Sequence, residues 1–530
     1  MEQRFRVVKR SIDARQKQLK VHLTVLTDEH GAPLPKDAPI PLYEPPHFQD
    51  VHNAERSVAI IGAGPAGLFA ALTLIEKGIK PIIYERGKEV AERKKDIAIL
   101  NRNQGLNAES NYCFGEGGAG TFSDGKLFSR SKKRGNMQRV MELFHHFGGD
   151  DRLLYEAHAH IGSDKLPTII RRMRECILEH GGDIHFSTCV DESLFRDLIA
   201  NSQYPIGGTP SNSPLGRPLL GVILAIGHSA HDTYHMLHAN GVALATKGFA
   251  MGVRAEHPQA LINKLMYHDP SPELIRLVGN ASYSLVTQVQ GRGVYSFCMC
   301  PGGHIVPAGS ALNSCVVNGM SASHRNSPYA NSGMVVEIRP EDLLHYPLAK
   351  RPLPISPQGV QYPQADPLAG LRFQQELERL AFEHGGEPSL APAQRLRDFV
   401  GGKASKSLPA CSYLPGMVSS RMDLWLPEHI GKRLQQGFRD FDRKYRGFLT
   451  NEAVILGVES RSSSAVRIPR DPVTLQSVST PGLYPCGEGA GYAGGITSSA
   501  LDGINVALSI VNTHHHSKQF YTTLNNSTLL

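Results

Sequence analysis

Gly62, Gly64 and Gly67, followed about twenty residues later by Glu85, have the types and spacing that bind a dinucleotide. Gly62 permits a tight turn, Gly64 lets the backbone approach a pyrophosphate, and Gly67 lets a helix pack closely on a strand. Pro65 and Ala66 open a helix whose N–H groups and positive dipole end face the phosphates. Glu85, with Arg86 beside it, can accept hydrogen bonds from ribose hydroxyls. Further candidates lie downstream. Cys298 and Cys300 are two apart and share one face of a strand. They could form a redox pair or contribute to a metal site, but a disulfide at this spacing is strained and no second pair stands at zinc-site spacing. Small residues lining a pocket are the plainer reading, and no metal is expected. Cys300 is then a candidate for the wall of a site or for proton transfer. His304, after a Gly-Gly turn, could donate a proton or be a structural histidine. Arg461, among Glu459, four serines and Arg467, could hold a carboxylate or phosphate bidentately. The same polar cluster could instead be a hydrogen-bonded joint between domains.

Positioning these residues takes a strand, a turn and a helix in succession. Residues 58–61 are an apolar, β-branched run, residues 65–77 carry a helical pattern that stops at Gly78, and residues 79–84 are a second apolar run. A polar helix follows over 88–100. The loop 111–130 then holds Gly115, Gly117, Gly118 and Gly120, more than a turn requires. Backbone lying against a flat or charged ligand explains them, with Lys126 placing charge nearby, and a flexible surface loop is the alternative. A helix over 166–182, a strand over 183–190 and a loop over 201–217 come next. The buried strand 219–225 runs into Gly227 and a helix, which suits a second approach to the cofactor. Residues 255–450 carry no dinucleotide motif and read as an inserted substrate or cap domain, with a proline-dense linker at 351–367. A last strand ends in Cys486, Gly487 and Glu488, and an apolar helix begins near Gly495 and Ile496. Ahead of all this, residues 1–53 read as a short helix, a strand and a proline-rich linker.

Composition narrows the class. A net charge of +7 over 56 basic and 49 acidic residues does not imply a nucleic-acid partner. The denser clusters at 93–95 and 130–134 read as solvated basic faces. Eight cysteines without framework-like spacing fit a reducing compartment. The N-terminus lacks a signal-peptide core, and no apolar run reaches the ~20 residues of a spanning helix. A soluble cytoplasmic protein without a membrane partner is expected.

The first fingerprint and the last motif together resemble FAD-dependent oxidoreductases of the glutathione-reductase-like superfamily. The resemblance implies FAD, places Val190 against the adenine, and gives the acidic residue of the last strand a ribityl hydroxyl. Here Glu488 stands where aspartate is usual. It also sets the N-terminus of the final helix, near Gly495 and Ile496, at the pyrimidine edge. The stretches GEGGAGTFSDGKL, LAIGHSAHDT, SFCMCPGGHIVPA, SSRMDLWLPEHI and GLYPCGEGAGYAGGI are similar, more closely, to a largely uncharacterised bacterial family of FAD-dependent dehydrogenases. His231 departs from the arginine of that family's pattern.

The expected fold is α/β: a discontinuous Rossmann-like FAD-binding domain over 54–254 and 451–515, an inserted α+β cap over 255–450, a small N-terminal α+β domain over 1–53, and a flexible tail over 516–530. The expected function is an FAD-dependent oxidoreductase, a dehydrogenase moving a hydride between flavin and a small organic substrate. The cofactor residues would be Gly62, Gly64, Pro65, Ala66, Gly67, Glu85, Arg86, Gly117, Gly118, Gly120, Lys126, Val190, Gly227, Gly487, Glu488, Gly495 and Ile496. Arg461, Cys300 and His304 are the catalytic candidates. No second complete fingerprint, with strand, glycine turn, helix and acidic residue in register, is visible downstream, so an independent NAD(P)H domain is not expected. An FAD-dependent RNA-modifying enzyme and a non-catalytic flavin-binding protein are the alternatives. The substrate, electron partner and oligomeric state stay open.

Overall fold

A computed structural model describes residues 6–14, 19–27, 43–128, 135–202, 218–343, 366–385 and 389–527. Two sheets organise them. The first has five parallel strands in the order Leu483–Pro485, Leu219–Leu224, Ser57–Ile61, Lys80–Tyr84 and Asp183–His185. Its central strands Ser57–Ile61 and Leu219–Leu224 are buried along their whole length. Continuous apolar runs are what a parallel sheet covered on both faces demands. The helix Pro65–Glu76 is buried from Ala66 to Ile75, because it lies between this sheet and the final helix Ile496–Ser527. Two glycines make that layering possible. A Cβ on Gly67 would come within 1.9 Å of the Gly62 carbonyl oxygen, and one on Gly503 within 2.1 Å of the Ala66 carbonyl oxygen.

The second sheet has seven strands in the order Met417–Ser419, Ala391–Arg395, Val454–Glu459, Phe249–Pro258, Tyr329–Ile338, Arg292–Cys300 and Val286–Val289. Only the pair Ala391–Arg395 and Met417–Ser419 is parallel. Alternation sorts its faces. Phe249, Met251, Val253 and Ala255 join one apolar core with Ile430, Leu434, Phe438 and Phe441. Those four come from one side of the helix Glu428–Lys444, spaced by three and four residues. Arg254 lies on the opposite face and pairs with Glu459. This sheet reaches from Phe249 to Glu459, beyond the expected 255–450 cap at both ends.

The expected N-terminal helix is a strand. Arg6–Asp13 pairs antiparallel with Lys20–Leu26, and Arg10 docks this hairpin on the body through Tyr155, Glu156 and Ala157. Ladder and docking bonds outweigh the weak helical preference of a polar segment. The expected strand 183–190 stops at His185, after which the chain turns toward Val190. The final helix runs to Ser527, so most of the expected flexible tail continues it. The basic cluster at 130–134, most of the loop 201–217 and most of the proline linker lie outside the described residues. Among the described residues, no helix is long and apolar enough to cross a membrane.

Candidate functional site

The chain's glycine motifs converge on a cavity of about 470 Å³ between the two sheets. Its base is the fingerprint turn. Gly62 sits at φ +107°, and a Cβ there would meet the Ala225 carbonyl oxygen at 2.4 Å, so no other residue fits. Gly64 caps the following helix with Pro65 at its first turn. The free N–H groups of that turn therefore point away from the helix at the cavity. The loop carrying Gly115, Gly117, Gly118 and Gly120 is packed on the fingerprint rather than free at the surface. A Cβ on Gly118 would lie 3.1 Å from the Gly64 Cα, and Gly117 N–H donates to the Ala63 carbonyl at 2.8 Å.

Arg93 is the keystone of this loop. Its side chain is fully buried and donates to the carbonyls of Asn111 (2.8 Å), Tyr112 (3.1 Å), Gly115 (3.2 Å) and Glu116 (2.7 Å). The reading of residues 93–95 as a solvated basic face is therefore wrong for Arg93. The loop it gathers comes after it in the chain and leaves no local mark on the helix.

Glu85 is tied into the backbone. One oxygen accepts from the N–H groups of Gly87 and Gly115, both at 2.9 Å, and the other accepts from Ala63 at 2.8 Å. The second oxygen keeps a lone pair for a further donor such as a ribose hydroxyl. Arg86 spends its fork on Glu109 and Asp232 and lies 4.3 Å from the centre of the Phe114 ring. On the far side, Gly487 N–H is held by Asp502 at 2.7 Å, and Asp502 pairs with Arg470. Glu488 faces His228, with 3.4 Å between carboxylate oxygen and Nδ1. Gly227, Gly494 and Gly495 have nothing within 4 Å of where a Cβ would stand, so these bare stretches of backbone border open space.

Of the expected cofactor residues, Gly62, Gly64, Pro65, Ala66, Glu85, Arg86, Gly118, Gly120, Lys126, Val190, Gly227, Glu488, Gly495 and Ile496 line the cavity. Gly67, Gly117 and Gly487 sit behind the lining, and their roles are to let backbone and helix close up. The seven-stranded sheet and its loops supply a wall of Phe297, Cys298, Asn318, Arg461 and Ser462.

The catalytic candidates fare differently. Arg461 gives Nε and Nη2 to the two oxygens of Glu378, at 2.9 and 2.8 Å, and Nη1 to Ser310 at 2.8 Å. Ser460 also donates to Glu378, and Ser462 to the Ala250 carbonyl. The serine–arginine cluster is a hydrogen-bonded network within the unit of the seven-stranded sheet, and two arms of the Arg461 fork are taken by Glu378. His304 starts the strand His304–Pro307, is exposed and does not line the cavity. Cys300 is buried behind the wall, and Cys298 stands at it. Period-two reasoning missed this because the pairing of Phe297 with Gly333 and Cys300 with Asn331 contains a bulge.

Residues 55–110 match the FAD binding domain family, residues 248–462 the family described as FAD-dependent protein, C-terminal domain-like, and residues 2–27 a domain of unknown function. An uncharacterized protein of Clostridium beijerinckii is 37% identical over 523 residues, covering 96% of this chain and 92% of its own. The chain belongs to the same FAD-dependent family. Solved structures that resemble it include CmlS, a flavin-dependent halogenase (12% identity, 88% of this chain and 60% of that one, TM-score 0.31). A flavoprotein/dehydrogenase from Cytophaga hutchinsonii is another (11%, 87% and 79%, TM-score 0.31). Scores this low carry nothing about the reaction. The cofactor of this family member is FAD, and the residues present fit it: a glycine turn at a helix N-terminus, an acidic residue with spare acceptor capacity, and bare backbone around the cavity.

Proposed function

We propose that this protein is an FAD-dependent oxidoreductase, a dehydrogenase whose small organic substrate enters between the parallel sheet and the seven-stranded sheet. The observation that carries the reading is the cavity itself, lined from both sides. The dinucleotide-binding elements form one side, and Phe297, Cys298 and Asn318 form the other. A pure cofactor-storage site has no use for a second wall of this kind.

Bound FAD supplies two-electron redox chemistry that side chains lack. The chain's own residues bind, orient and exclude. Gly62, Gly64 and the helix from Pro65 would hold the pyrophosphate, and the spare oxygen capacity of Glu85 a ribose hydroxyl. Val190 would cover the adenine, Glu488 would take a ribityl hydroxyl, and the N-terminus of the final helix at Gly495 and Ile496 would favour negative charge beside it. Lys126 adds a positive charge at the cavity edge, held 3.3 Å from Asp124. Arg461, fixed by Glu378, sets Nη1 3.6 Å from the Cys113 sulfur of the glycine loop, a contact that would help hold the cap against the site. Eight free cysteines suit a reducing, cytoplasmic setting. The test is anaerobic titration of the purified flavoprotein with NADH, NADPH and a panel of small-molecule donors. Bleaching of the flavin absorption by a small-molecule donor supports a substrate-fed dehydrogenase; bleaching only by a nicotinamide nucleotide removes that reading.

A further inference from the structure

An ionic cluster runs from Lys126 and Asp124 at the cavity to Arg254 and Glu459 behind the cap wall, and around it stand two cysteines that the cofactor reading does not use. The bulge after Phe297 puts Cys298 at φ +47°, a left-handed backbone that a non-glycine residue rarely adopts. Bulges beside functional sites re-aim a side chain, and here Cys298 reaches the cavity while Cys300 stays fully buried behind it. Two cations face the pair. Lys126 Nζ lies 3.5 Å from the Cys300 sulfur and 3.9 Å from the Cys298 sulfur. Arg254, itself fully buried, points Nη2 at the Cys300 sulfur (3.7 Å) and donates to the Cys298 carbonyl at 2.8 Å.

The charge count of the cluster is uneven. Lys126, Arg254 and Arg325 are cations, against the carboxylates Asp124 and Glu459. Burial pushes Glu459 up to about 7 despite Arg254, so it is not a full negative charge at neutral pH. His160 beside Asp124 is held neutral, brought down to about 4 by burial and by Arg325. Asp124 alone answers both Lys126 and Arg325, and a thiolate beside Lys126 supplies a second counter-charge. Cys300, whose S–H donates to the Cys298 carbonyl at 3.3 Å, lies beside the Cys298 thiol and lowers it, burial opposes this, and the charges of Lys126 and Arg254 lower it further. Cys300 moves the other way, raised by Cys298 beside it and by burial.

We propose that Cys298 is a thiolate nucleophile on the cavity wall, activated by Lys126 beside its sulfur and by Arg254 at its carbonyl, with Cys300 behind it, and that its reaction partners are soft electrophilic carbons. With iodoacetamide as probe, the sulfur lone pair forms the S–C bond, the C–I bond breaks, and iodide leaves with the bonding pair. Only the thiolate form reacts, and the proton of any thiol form goes to solvent in the ionisation that precedes attack.

The test uses the flavin-loaded full chain. Thiolate absorption near 240 nm, taken as wild type minus Cys298→Ser, is titrated with pH, and the flavin's own absorption cancels in the difference. In parallel, iodoacetamide labelling of Cys298 is followed by peptide mass spectrometry, with exposed Cys189 as internal reference. The expected midpoint lies at least about one unit below the ordinary thiol value of ~8.5. At about pH 6.5, Cys298 is then alkylated roughly tenfold faster than Cys189. Lys126→Met is expected to raise the midpoint by about a unit, and Cys300→Ala, the milder change, to raise it too. A wild-type midpoint at or above ~8.5 overturns the proposal. So does a low midpoint with no labelling of Cys298 at any pH, which makes it a buried counter-ion and not a nucleophile.

Discussion

Replacing Arg461 by methionine should destabilise the protein because it strands Glu378, not because it removes a substrate contact. Glu378 is fully buried and accepts from Arg461 Nε and Nη2 and from Ser460. Burial pushes its carboxyl up, and Arg461 more than offsets this, leaving it below the ordinary value. Breaking one partner of such a pair costs about 3–5 kcal/mol, whereas replacing both by apolar groups of similar volume is often neutral. Arg461→Met should therefore lose about 3–5 kcal/mol, and Glu378→Met/Arg461→Met should recover most of that. For a cooperative unit of 150–250 residues, each kcal/mol moves Tm by ≈ 2–4 °C, so the single variant should melt roughly 6–20 °C lower. The assay is thermal unfolding of the flavin-loaded single and double variants, followed by circular dichroism and by flavin release. A single variant within about 1 kcal/mol of wild type, or a double variant no better than the single, refutes the pairing argument.

Other outcomes follow from the same geometry. Arg93→Met should leave four carbonyls of the glycine loop short of a donor and cost at least about 3 kcal/mol, with weaker FAD retention on a desalting column. Burial pushes Asp124 up, but Lys126 and Arg325 outweigh it and hold it at about 2, against 3.8 for the free group. Its stabilisation is present above the unfolded value and lost as pH falls toward about 2, so Asp124→Asn should flatten acid unfolding in that window. Glu459 runs the opposite way. Raised to about 7 by burial, it contributes stability that is complete below its unfolded value of 4.5 and lost as pH rises through 7. Urea unfolding across that range should shift in favour of Glu459→Gln as pH rises.

How much of this was readable in the chain depends on sequence distance. The fingerprint, its helix, Glu85 and the last glycine motif were legible because each is a local pattern with a local cause. The parallel sheet followed from them. Arg461 and Glu378 are 83 residues apart, so an arginine among serines could be read equally as a ligand surface or a joint. Arg93 looked like surface charge because the carbonyls it gathers belong to a loop 18 to 23 residues further on. Cys298 and Cys300 were expected to share a face; both sulfurs do meet Lys126, but the bulge set by pairing with Tyr329–Ile338 brings only Cys298 to the cavity. The helix Glu428–Lys444 packs on strands from other parts of the chain, a contact that no local pattern in the sequence announces.

The most direct test of the central claim is the flavin content of the purified full chain and of Gly118→Val, measured by visible absorption and by identifying the released cofactor. Gly118 is at φ +61° with its Cβ position 3.1 Å from the Gly64 Cα, so a side chain there must push the loop off the fingerprint and into the cavity. The account predicts about one FAD per chain in the wild type. Gly118→Val should be folded, by its circular dichroism, and largely flavin-free. A folded variant that keeps FAD as tightly as the wild type, or a wild type that cannot be loaded with FAD at all, contradicts it.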